Sequence, residues 1–239
     1  WDERQRLAFE KEALGFYVSG HPLKNYEAVL EKFTNVNAVS IKESTDGGMV
    51  RIGGIVAAVK TIKTKKGDTM AFATIEDMHG SVEAIVFSAL YAGAGDLLVE
   101  DNAILVQGRL QKDEQSIKVI ADTIIPMNKA EETWTASIHF HVDMTRTDRE
   151  ALVRLQEALL QHPGSCRAFL HLRDPQGTDT VIGLPERTKL QAGSLLTRKV
   201  NRLLGYNAVE TVCSAAAAAA PNAGPNRNGY KGYKSNGRC

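Results

Sequence analysis

The sequence predicts a mixed fold: a short helical segment, a small five-stranded β-barrel, a small α+β unit and a tail without a core. Three observations carry that reading. Between residues 50 and 126, five runs of strand length are rich in β-branched and apolar residues, with Gly67-Asp68 and His79-Gly80 as turn signals. One stretch rich in Ala, Leu and Tyr, residues 88–98, breaks the β pattern between the third and fourth runs. Beyond residue 136 the hydrophobic period switches in the order strand, helix, strand, strand, helix, strand. Five strands with a helix between the third and fourth is the order of an OB-fold, a partly open Greek-key barrel.

Residues 2–14 are charged and helix-favouring, and Leu7, Phe9 and Leu14 form their apolar stripe. Gly15 ends that helix. Gly20 supplies a positive φ, and Pro22 turns His21 away from the helical region, so His21 reads as a packed turn residue. Tyr26, Val29, Leu30 and Phe33 recur at helical spacing within a second short helix over 25–33. A polar, glycine-containing linker, residues 44–48, leads into the barrel. Its strands are expected at 50–56, 69–77, 81–87, 103–110 and 116–124. Ile104, Val106 and Leu110 share one parity, and Ile117, Val119 and Ala121 share another, as half-buried strands require.

Residues 128–135 read as a polar, acidic linker. A second unit follows, with strands at 137–142, 167–172, 180–184 and 208–212. Its first helix spans 148–161, with Asp148 as N-cap and Leu152, Leu155 and Leu159 on one face. Pro163-Gly164 stops it, Asp174-Pro175-Gln176-Gly177 makes a turn, and Gly205 closes a second helix over 194–204. The order βαββαβ matches the ferredoxin-like split βαβ arrangement. The units are thus 1–45 helical, 49–127 barrel, 136–213 α+β and 214–239 tail. The tail is rich in Ala, Asn, Gly and Pro and lacks the apolar content to fold.

Lys and Arg number 29 against 28 Asp and Glu, a net charge of +1, so any attraction to nucleic acid is local. Three scattered cysteines without a CxxC suit a reducing, cytoplasmic setting. No apolar run approaches the ~18 residues of a membrane span, and the first residues do not resemble a signal peptide. A chain starting at Trp1 reads as a fragment of something longer. It carries no P-loop, nucleophile elbow or carboxylate set for two magnesium ions, so no catalytic residue is expected within it. Glu76 and Asp77 are adjacent and point to opposite faces. His139 and His141 project to one side of a strand, and Cys166 is a conceivable third ligand. No motif places a fourth, so no metal site is expected.

Lys60, Lys63, Lys65 and Lys66 crowd the turn between the first two strands. Mobile cations there suit backbone phosphates and carry no sequence information. A solvated hairpin tip, where lysines discourage edge pairing, is the plain alternative. Arg51, Arg109, Lys112 and Lys118 extend the same basic groove or stand as ordinary surface residues. Phe72 shares parity with Met70, and Phe87 closes an apolar strand, so core packing is expected of both. Binding is then mainly electrostatic, with few surfaces for base stacking.

The run Gly15-Phe16-Tyr17-Val18-Ser19-Gly20-His21-Pro22-Leu23, with the preceding Glu10-Lys11-Glu12-Ala13-Leu14, resembles the signature that joins the helix-hairpin-helix region to the OB domain in bacterial DNA polymerase III alpha subunits. Lys63 to Gly67, Ala73 to Asp77 and Gly80 to Phe87 resemble that family's OB domain in order and spacing. The resemblance implies a C-terminal portion of a DNA-directed DNA polymerase. Its barrel would bind single-stranded template, and its last domain would dock to the clamp-loader tau subunit beside other replisome subunits. Catalysis, with Mg2+, would lie upstream, so no cofactor is implied here, nor any membrane contact. Two other readings stand beside it. An anticodon-binding barrel of a tRNA synthetase would expose aromatics on its face. A scaffold that has lost nucleic-acid binding would show no salt-dependent affinity for DNA.

Overall fold

A computed structural model describes residues 22–113 and 116–214, with Phe9, Ala13 and Gly20. The run that carries the resemblance therefore lies largely outside the described residues, as do the helix over 2–14, His21 and residues 215–239. Gly20 has the positive φ expected of it, at 146°.

The barrel is closed, in the strand order β1-β2-β3-β5-β4. Its strands are β1 (Met49–Lys63), β2 (Thr69–Glu76), β3 (Ser81–Val86), β4 (Ala103–Lys112) and β5 (Ile117–Pro126). β3 and β5 pair in parallel and the other neighbours antiparallel. Before it, a 3-10 turn (Pro22–Tyr26) runs into α1 (Glu27–Phe33); α2 (Ser88–Ala94) sits between β3 and β4. Small residues fill the narrow interior: Ala71, Ala73 and Ala84 lie among Ile52, Val56, Ile75, Val86, Ile104, Val106 and Val119. Closure needs the strands to approach closely at Gly54 and Gly108. A Cβ at Gly54 would strike the Glu76 carbonyl, and one at Gly108 the Ile120 carbonyl.

β1 is twice as long as expected, because it continues past a bulge near Val56 and pairs with β2 as far as Lys63. The turn is only Thr64 to Asp68. Ala38 and Ile41 belong to the barrel core, although the sequence sets them in the preceding segment. Asp77 fixes them. Its carboxylate, 7% exposed, accepts from the backbone N–H of Ala38 at 2.6 Å, His79 at 2.7 Å and Gly80 at 2.9 Å. Residues 44–48 are not a loose joint either: Gly47 N–H donates to the Leu110 carbonyl, Leu110 N–H to that of Gly48, and Lys112 N–H to Asp46.

The second sheet has the order β8-β7-β6-β9. Its strands are β6 (Thr135–Asp143), β7 (Pro163–Arg173), β8 (Asp179–Gly183) and β9 (Val209–Cys213), with α4 (Arg149–Leu160) and α5 (Ser194–Leu204). The predicted element order holds, and Asp148 caps α4 through the Ala151 N–H at 2.7 Å. The split arrangement does not. β7 lies directly beside β6 in parallel, so the first βαβ is unsplit, and β8 sits on the outer edge. All five residues of β8 are exposed, and so short and open a strand cannot occupy the sheet centre.

The expected linker at 128–135 is instead a buried junction. Met127 starts a 3-10 turn leading into α3 (Ala130–Trp134), and Met127, Ala130 and Trp134 are buried. With Leu23, Phe33, Ile55, Leu105 and Ile125 they form a second core against the outside of the barrel. The acidic residues that suggested a linker occupy the other side of α3, where Glu131 accepts the Ser194 N–H at 2.9 Å.

Candidate nucleic-acid interface

The face of interest follows from strand parity. On β2, Ala71, Ala73 and Ile75 point inward, so Phe72, Thr74 and Glu76 point outward. On β3, Val82, Ala84 and Val86 are inward, so Glu83 and Ile85 are outward. The register then aligns Lys60, Phe72, Ile85, Ile120 and Arg109 across β1, β2, β3, β5 and β4. A neighbouring row runs Ala58, Thr74, Glu83, Lys118 and Gln111. Ile62 pairs with Met70, and Phe87, one residue past β3, is 50% exposed.

Phe72 is half-buried but absent from the barrel core, and Phe87 is largely open, which corrects the expectation of core packing for both. The physical reason is strand parity: Ala71, Ala73 and Ile75 take the inward positions of β2, so Phe72 between the two alanines faces outward. Tyr91 does pack against the core. The parity that Phe72 shares with Thr74 and Glu76 is a sequence signal for its outward position. Phe72 and Phe87 are flat rings on which bases can stack, and the cations near Phe72 can meet phosphates.

The eight basic residues singled out in the sequence do not form one groove. Lys60 and Lys118 neighbour Phe72 on the outside of the barrel, whereas Arg109 points outward from β4, further round the closed barrel. Lys118 is paired with Glu83 at 2.7 Å, and its ammonium lies 5.9 Å from the Phe72 ring centroid. Lys65 and Lys66 sit on the turn. Lys63 has the opposite parity to Lys60 and pairs with Thr69, so only part of the lysine cluster joins Phe72. Lys60, Lys63, Lys65 and Lys66 are exposed, and none forms an ion pair among the described residues. Lys112 donates to the Lys42 carbonyl at 2.6 Å.

Arg51 is a correction to the basic groove. It is 6% exposed, stacks 4.3 Å from the Trp134 ring centroid, and donates to Gln107 Oε1 at 2.7 Å and the Ser214 carbonyl at 2.9 Å. Burial draws its pKa below the usual arginine range, with Cys213 opposing, and it remains cationic. It therefore joins the barrel to the second unit and is not available to a phosphate.

His139 and His141 do share a face, the side of the second sheet away from α4 and α5. Cys166 does not: it is buried in the opposite core, its thiol 3.4 Å from the Thr135 carbonyl. His171, which the sequence reading did not single out, joins the histidines from β7. His139 Nδ1 lies 2.8 Å from His171 Nε2, and His141 stacks on His171 at 4.5 Å. Burial, then His171, hold His139 below the usual imidazole range against the opposing pull of Glu210. Among the described residues no group of three or more His, Cys, Asp or Glu is placed to hold a metal ion. No helix there is long and apolar enough to cross a membrane.

A family model described as an OB-fold nucleic acid binding domain matches residues 50–127, the span of the barrel. The chain is 30% identical over 219 residues to a DNA polymerase III subunit alpha of Saccharopolyspora erythraea, covering 89% of this chain and 18% of that protein. It is 33% identical over 167 residues to the Pseudomonas aeruginosa counterpart, covering 68% and 14%. Against the Thermus aquaticus counterpart it is 33% identical over 179 residues, covering 74% and 14%. The chain thus spans less than a fifth of the length of these relatives.

Proposed function

The chain corresponds to the OB-domain region of the DNA polymerase III alpha subunits, and from that premise we propose that its barrel binds single-stranded DNA during replication. The observation that carries the proposal is the outward Phe72, with Lys60 opposite it on β1 and the Lys118 ammonium 5.9 Å from its ring centroid. Bases stack on Phe72, and phosphates meet Lys60 and the lysines of the neighbouring turn. The chemistry would accept any base, because stacking and phosphate contacts are sequence-tolerant. The whole protein is then a DNA-directed DNA polymerase of the replisome, in the cytoplasm. Its Mg2+ chemistry belongs to a catalytic domain elsewhere in the protein. The exposed Phe72 and Phe87 would also suit an anticodon-binding barrel, but the named relatives are polymerase subunits and favour the DNA reading.

A salt titration of binding to labelled oligonucleotides tests the electrostatic share. With about three phosphate contacts, the log–log slope is roughly −2, at about −0.7 per contact for single strands. Changing Lys60, Lys63, Lys65 and Lys66 to Ala weakens binding to all sequences alike and flattens the slope, while circular dichroism stays unchanged. A folded quadruple variant with the original affinity and slope removes the lysines from the interface.

The second sheet and its helices, in this proposal, dock to the clamp-loader tau subunit. Besides the family relationship, the exposed apolar side chains Val153, Leu160 and Leu195 on the helical layer support a protein contact. In the full chain, Leu160→Asp with Leu195→Asp is expected to weaken tau binding at least about tenfold, since buried apolar anchors cost over 1 kcal/mol each. DNA binding should persist. Undiminished tau binding by that variant places the contact elsewhere.

A further inference from the structure

The outer face contains one acidic residue at its centre, and its place is not explained by attraction to DNA. Glu83 sits in the row beside Phe72, aligned with Thr74 on β2 and Lys118 on β5. Its carboxylate holds the Lys118 ammonium at 2.7 Å, with 37% and 30% of the two side chains exposed. The same ammonium lies 5.9 Å from the Phe72 ring centroid, where a base would stack. Resting on the single-strand reading above, we propose that Glu83 limits the affinity of this face by keeping Lys118 from the phosphate backbone.

Carboxylate and phosphate compete for one cation. A base stacked on Phe72 brings its phosphates within a few ångströms of the strand, inside the reach of Lys118. An ammonium already paired with a carboxylate offers a phosphate little. The carboxylate itself repels the phosphate at a separation well inside a Debye length, ~8 Å at physiological salt. Exposed pairs of this kind contribute little to folding, so removing the carboxylate leaves the barrel intact. Glu83 is thus a positioning residue for Lys118. Its effect is a face that holds a moving strand loosely, mainly by stacking, and lets it slide.

The test uses the full chain, a labelled oligo-dT and four forms: unsubstituted, Glu83→Gln, Lys118→Gln and the double variant. Glu83→Gln is expected to tighten binding roughly fivefold and to steepen the log–log salt slope by about 0.7, the signature of one added phosphate contact. In the Lys118→Gln background the same change should lose most of the gain and leave the slope unaltered, because the released cation is absent. Unchanged affinity and slope in Glu83→Gln overturn the proposal. A full gain that persists without Lys118 also overturns it, since the carboxylate then acts by general repulsion alone. Failure of the single-strand reading looks different: the unsubstituted chain would not bind oligo-dT even at low salt, and Glu83 would fall with it.

Discussion

Phe72→Ala combined with Phe87→Ala lowers the affinity of the full chain for single-stranded DNA at least about thirtyfold, while leaving the salt slope as it was. The size follows from stacking, worth about 1–3 kcal/mol per base, with a factor of ten for each 1.4 kcal/mol. The unaltered slope follows because a phenyl ring releases no counterions. Phe72 points outward from β2, and Phe87, one residue past β3, is 50% exposed. The fold tolerates the change, since Phe87 is 50% exposed and Phe72 lies outside the barrel core. Fluorescence anisotropy against oligo-dT at several salt concentrations measures both quantities. A folded double variant that binds as before would sink the stacking assignment and return the face to the mainly electrostatic interface that the sequence suggested.

Strand existence was legible because it rests on local pattern. All five barrel strands and all four later ones fall where alternation and turn residues put them, within a few residues at most ends. β1 is the exception. Its second half, from Ala58 to Lys63, reads as a basic loop, yet pairing with β2 holds it extended in spite of its lysines. Facing was legible in part. Ile104 and Val106 point inward as expected, but Leu105 between them is equally buried, against the junction outside the barrel. Apolar residues of both parities on one strand signal burial of both faces. Ile55 and Ile125 carry the same message.

What depends on which strands become neighbours was not legible. Split and unsplit βαβ units share one element order, so only the sheet itself distinguishes them. His171 approaches His139 because β7 lies beside β6, 32 residues apart in the chain. Arg51 resembles any surface arginine until Trp134 and Ser214 are brought to it. The candidate interface was half legible. Its cations stand out in the sequence, whereas the outward place of Phe72, signalled by the parity it shares with Thr74 and Glu76, was masked by the parity it also shares with Met70.

Trp134→Ala carries the largest expected cost in stability. The indole is 5% exposed, within a core of Leu23, Phe33, Ile55, Leu105, Ile125, Met127 and Ala130. The Phe33 ring lies 6.4 Å from it, centroid to centroid. Removing so large a buried side chain costs about 3–5 kcal/mol. The loss also strips Arg51 of its stacking partner in a site where the guanidinium is already desolvated. Ser214 remains beside it, bonded to the Trp134 carbonyl through its N–H at 2.8 Å and its hydroxyl at 3.1 Å. The junction is shared by α1, the outside of the barrel and the end of β9, so the unsubstituted chain should melt from barrel to second sheet in one cooperative transition. In the variant the midpoint falls by about 10 °C, given roughly 2–4 °C per kcal/mol for chains of this size. The transition then separates into two as the barrel and the second sheet lose their common core. Differential scanning calorimetry measures both effects. An unchanged midpoint with one sharp transition would mean that the two units do not depend on Trp134. A rigid junction has a functional consequence in the proposed reading: a partner bound to the helices of the second unit would fix the direction in which the Phe72 face meets the strand.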